Sequence, residues 1–198
     1  GNGLLFFNFR DLKPDDEGED TISLHVNNND AYLCMDVALT SNDDLSSNEP
    51  ELDTNDPQDD IDNTWDGELG GLLNMFWWAD DGDNVYEVGE NSISDGVKTV
   101  LNLATSTPFS VALADTVNNV WAPNQPGPIP GGQTKYIGKA WCYGTLTLTP
   151  LAQDGLGTDG PLAPNRVGTG VSCDGKTLGN ESQTDGVTMD VAFRAMQA

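Results

Sequence analysis

Apolar and polar residues alternate with a period of two along much of the chain, the spacing of a β-strand with one buried face. The pattern is cleanest at residues 21–27. There Ile22, Leu24 and Val26 share one side, and Thr21, Ser23, His25 and Asn27 the other. Asn27-Asn28-Asn29-Asp30 reads as a turn, because Asn and Asp tolerate left-handed backbone. Residues 31–40 continue as a second strand, and the two together predict a hairpin. Ahead of them, Leu4-Leu5-Phe6-Phe7-Asn8-Phe9 reads as a buried strand that stops at the turn Asp11-Leu12-Lys13-Pro14-Asp15-Asp16. Residues 68–74 predict a short helix that Gly70 and Gly71 weaken. Met75-Phe76-Trp77-Trp78-Ala79 is dense in aromatic rings and predicts a core strand.

Further along, short strands are predicted at 85–88, 99–103 and 110–114. A long one lies within 136–149, and a last one at 187–195 places Val187, Met189, Val191 and Phe193 on one face. Residues 123–132 and most of 154–186 read as loop. About eight strands, at most one or two short helices and long loops predict an all-β fold, a jelly-roll or β-sandwich. A length of 198 residues suits one such domain spanning 1–198. No apolar run is long enough to span a bilayer. No basic-then-apolar leader opens the sequence, so export implies a leader already removed.

Charge changes this picture most. Asp and Glu number 32 against 8 Lys and Arg, a net charge of -24. Such a surface repels nucleic acid and anionic lipid. It suits either plain solubility or bound cations and basic partners. The acids crowd into residues 41–67, an expected acidic loop insertion without Lys or Arg, and into residues 80–90. Calcium takes six to eight oxygen ligands. Asp80, Asp81 and Asp83 flank the bend at Gly82, with Glu87 on the next predicted strand. Asp43 and Asp44, after the second strand, complete the candidate calcium set. The spacing is not that of an EF-hand.

Enzymatic readings find little support. His25 is the single histidine, and it falls on the polar face of a strand. A Ser-His-Asp site would depend on it, and an HExxH zinc site needs two histidines. Carboxylate pairs are too abundant to mark a glycosidase. Three cysteines form no CxxC pair. Cys142 and Cys173 are the candidate disulfide, with Cys34 expected as a buried thiol in the apolar stretch 31–39, although sequence does not determine the connectivity.

Phe7-Asn8-Phe9-Arg10-Asp11-Leu12-Lys13-Pro14-Asp15-Asp16, then Thr21-Ile22-Ser23-Leu24 and Asn27-Asn28-Asn29, resembles the TasA/camelysin family of exported proteins. That family carries a DLKPGD turn, an alternating strand and an Asn-rich turn; here Asp15 stands in place of the Gly. Phe76-Trp77-Trp78-Ala79-Asp80-Asp81-Gly82, Ile137 to Gly144 and Thr184-Asp185-Gly186 are similar to secreted bacterial members. The resemblance implies an extracellular jelly-roll subunit of biofilm-matrix fibres, related to archaeal bundling pili and tubes. It also implies joining of subunits by a donated strand that satisfies a neighbour's open sheet edge. Residues 1–9, with Leu4, Leu5, Phe6, Phe7 and Phe9, are then the expected donor, and an ordinary first strand is the other reading. Some members bear a metallopeptidase label, for which this chain supplies no zinc ligand set. The expected function is a self-assembling structural subunit, non-enzymatic and calcium-stabilised. The alternative is a monomeric secreted or cell-surface module that binds carbohydrate, through Trp65 or Trp121, or cations.

Overall fold

The period-two segments become strands, but several find other partners than their order in the chain implies. The computed structural model describes residues 12–46, 51, 66–103, 109–155, 157 and 168–198. Its elements are β1 (Glu17–His25), β2 (Ala31–Asp44), α1 (Leu69–Leu72), β3 (Leu73–Asp80), β4 (Lys98–Thr99), α2 (Val100–Leu103), β5 (Phe109–Ala114), β6 (Thr134–Tyr143), β7 (Thr145–Leu148), β8 (Val171–Asp174) and β9 (Asp185–Gln197). They form an all-β, antiparallel sandwich. One sheet runs β1-β6-β3-β4, the second β5-β2-β9, and β7-β8 make a separate two-stranded piece.

β1 and β2 are not a hairpin. β1 pairs with β6 from Glu17 opposite Cys142 to His25 opposite Thr134. β2 pairs with β5 and β9 in the other sheet. Both strands bury one apolar face, and the sandwich lets those faces meet across the core rather than lie side by side. Residues 27–30 therefore cross between sheets, held where Ala31 and Ile129 exchange backbone hydrogen bonds of 2.9 Å.

The main core lies between the two sheets and includes Met35, Val37 and Leu39 of β2, Met75 and Trp77 of β3, and Ile137 and Trp141 of β6. A second cluster, Phe76, Trp78, Ala140, Cys142 and Leu146, covers the opposite face of β3 and β6. β3 is thus buried on both faces, which explains its continuous apolar run. Phe76 and Trp78 stack with centroids 5.5 Å apart, and Tyr86 meets Phe76 edge-on at 4.8 Å. Cys142 and Cys173 form a disulfide with a Cα separation of 5.5 Å, tying β6 to β8 across this second cluster.

Other expectations are corrected. Cys34 is a free thiol but only half-buried, because the core-facing positions of β2 are Leu33, Met35, Val37 and Leu39. Residues 41–44, expected to open the acidic loop, are the last four of β2 and pair with residues 185–188 of β9. Residues 99–103 are mostly α2 rather than strand, and residues 85–88 contribute only an isolated bridge between Glu87 and Leu151. The long strand expected within 136–149 breaks at Gly144, whose φ of 145° turns the chain from β6 into β7. The expected donor residues Leu4, Leu5, Phe6, Phe7 and Phe9 lie outside the described residues, as does Trp65. Among the described residues no helix is long and apolar enough to cross a membrane.

Candidate cation site and open sheet edge

Alternation along β3 puts Asp80 on the same face as Phe76 and Trp78. Asp80 is almost fully buried. Its Oδ1 accepts the indole N–H of Trp78 at 3.2 Å. Its Oδ2 accepts backbone N–H from Gly82 at 3.1 Å and Asn84 at 3.3 Å. The loop after β3 is therefore folded around this one carboxylate. Gly82 and Asn84 take positive φ of 117° and 62°, and both residue types tolerate that conformation. Asp83 Oδ1 accepts Val85 N–H at 2.9 Å, and the Glu90 carboxylate accepts N–H from Asp81 at 3.0 Å and Glu87 at 2.8 Å.

This winding gathers two overlapping sets of three carboxylates, Asp80-Asp81-Glu90 and Asp81-Asp83-Glu87. Within each set one oxygen per residue lies within 4.8 Å of the others. Two oxygens on opposite sides of a calcium ion, each about 2.4 Å away, are about 4.8 Å apart, so the sets fit one coordination sphere. Asp83 and Glu87 are buried, and Asp81 is the least buried of the four acids between 80 and 87. Burial pushes Asp80 up to about 6, with the Asp83 and Asp81 charges adding. Burial also pushes Glu90 up to about 8, with Asp80 and Asp81 adding. A cation among these carboxylates would relieve both effects.

The structure brings together Asp80, Asp81, Asp83 and Glu87, four of the six expected ligands. Asp43 and Asp44 belong elsewhere. They end β2, where Asp44 N–H donates to Asp66 Oδ1 at 3.1 Å, beside the start of α1. That is the opposite end of β3 from Asp80, seven residues or roughly 23 Å away at a strand rise of about 3.3 Å. Asp185, opposite Asp44, accepts Leu69 N–H at 2.8 Å and is pushed up to about 6 by burial, with the Asp44 and Glu51 charges adding. Glu90 joins the cluster although it was not among the expected candidates. It lies in the same acidic run, but only the fold of the loop returns it to Asp80 and Asp81.

His25 is exposed, and its ring nitrogens each lie 3.0 Å from a hydroxyl, of Ser23 and Thr134. Nothing there assembles a nucleophile and base with an acid among the described residues.

The other feature is an edge. β4, α2 and β5 follow one another and join one edge of each sheet, which leaves β1 and β9 at the other edges. β9 runs 13 residues and, among the described residues, pairs on one side only, with β2. Its inward residues Val187, Met189, Val191 and Phe193 pack on the core yet stay half-buried. The fold and site define an acidic antiparallel β-sandwich with a folded carboxylate loop and, among the described residues, a long edge strand. No protein-family model matches the chain, and no curated protein matches it.

Proposed function

We propose that the protein is an exported, non-enzymatic structural subunit that assembles with copies of itself by adding a donated strand to the β9 edge, stabilised by calcium at the loop after β3. The edge position of β9 carries this reading. Among the described residues this 13-residue strand has a partner on one side only and a half-covered apolar face, which makes it a template for another strand. The resemblance of residues 7–29 and of later stretches to the TasA/camelysin family supports the same reading, and residues 4–9 offer an apolar segment of matching character. Charge explains the role of the cation. Subunits of net charge -24 repel one another, and bound calcium lowers that barrier.

Electron microscopy and sedimentation of the purified chain, with calcium and with chelator, test the proposal. Filaments or higher oligomers in calcium are expected, together with their loss on deletion of residues 1–9. A chain that stays monomeric in both conditions overturns the assembly. Calcium is read separately by thermal unfolding, where an ion at a hundred times its Kd adds about 2.7 kcal/mol. Glu87→Gln and Asp83→Asn should shrink that gain, and an unchanged midpoint in wild type removes calcium from the proposal.

A further inference from the structure

A cleft shares Asp80, Asp81 and Glu90 with the carboxylate loop and extends past them to Trp121, Tyr136 and Gln153, away from the assembly edge. Residues 79–81 and 88–91, Val120, Trp121, residues 134–136 and Gln153 line it, and its volume is about 390 Å³. That falls in the ~300–1,000 Å³ range of small-molecule sites.

We propose that this cleft binds a carbohydrate, with Trp121 as the stacking surface for a sugar ring. Trp121 is half-buried, and its indole N–H donates to the Tyr136 carbonyl at 2.6 Å. Its own backbone N–H donates to Asn119 Oδ1 at 3.2 Å. The ring is therefore held in place before any ligand arrives, so stacking costs little side-chain entropy. The loop behind it is anchored as well, since Asn91 Nδ2 donates to the Val120 carbonyl at 2.7 Å.

The lining selects the ligand class. Asp81 and Glu90 disfavour an anion, and Lys135 in the same wall adds a donor beyond the carboxylates. A purely apolar guest makes no use of the Lys135 ammonium or the Gln153 amide in the wall. A neutral polyol beside an aromatic ring satisfies acceptors and donors of both kinds at once. Gln153 stands at the exposed margin, its Oε1 accepting Gly155 N–H at 2.6 Å, and its exposed side-chain amide N–H groups can donate to a ligand.

This inference is independent of assembly, because it rests on Trp121, Tyr136 and Gln153 rather than on β9. The test is a glycan array of plant, fungal and bacterial oligosaccharides, followed by titration of the full chain with each hit and with spermidine, in calcium and in chelator. Binding of at least one oligosaccharide is expected. Trp121→Ala should weaken it by about tenfold or more, and Gln153→Ala by several-fold. Gln153 is exposed, so its loss leaves the fold intact, and Trp121→Phe, which keeps a stacking ring, should restore part of the affinity. The proposal is overturned if no glycan binds, if spermidine alone binds, or if Trp121→Ala and Gln153→Ala bind like wild type.

Discussion

Gly138→Ala is the most direct probe of how the core supports the carboxylate loop. A Cβ at Gly138 would lie 2.6 Å from Trp78 Nε1 and closer still to its Cε2 and Cζ2. Carbon contacts settle near 3.5–4.0 Å, so the ring must move by about 1 Å or more. Trp78 has no exposed surface, and it stacks on Phe76. Overpacking of such a site costs about 1–3 kcal/mol. Displacement of the indole also weakens its 3.2 Å bond to Asp80, for about 1 kcal/mol more. The expected loss is about 2–4 kcal/mol, or roughly 5–15 °C in Tm for a domain of this size. Urea unfolding followed by tryptophan fluorescence measures it. Gly71→Ala is the matched control. Nothing lies within 4 Å of its added Cβ, and the site is an exposed helical position. That variant should be neutral, or more stable by up to about 1 kcal/mol. A Gly138→Ala protein within about 0.5 kcal/mol of wild type would mean that Trp78 is not packed on Gly138, and the linkage from core to loop would fall with it.

Two further outcomes follow from the same structure. The Cys142–Cys173 disulfide closes a separation of 31 residues, so the double variant Cys142→Ala/Cys173→Ala should lose about 3.5–4 kcal/mol; urea midpoints that coincide with and without reductant would contradict this. Burial pushes Glu19 from 4.5 up to about 7, with the Thr169 hydroxyl opposing and the Glu17 charge adding. The folded state then holds a proton that the unfolded chain releases, so this group's contribution to stability falls as pH rises from about 4.5 to 7 and levels off above. Glu19→Gln should gain on wild type across that window. Burial also lowers Lys139 from 10.5 to about 8, against the pull of Asp20 at 2.8 Å. Its contribution rises with pH between those values, the opposite slope. Parallel Tm-against-pH curves for wild type and Glu19→Gln would refute the assignment.

The sequence by itself determined the kind of element almost everywhere that one face is wet and the other dry. Ile22, Leu24 and Val26, and Val187 to Phe193, alternate because a strand at a sandwich surface needs only one apolar side. It also marked Asp80, Asp81, Asp83 and Glu87, since near neighbours in the chain stay near in a tight loop. Pairing was decided elsewhere. A strand's pattern shows which face it buries, not which strand lies beside it, so β1 and β2 parted to opposite sheets while β1 met β6 more than a hundred residues on. The same limit separated Asp43 and Asp44 from the loop and brought in Glu90. Nearness along the chain survives only within a turn, and beyond that the packing of sheets decides which carboxylates share a space.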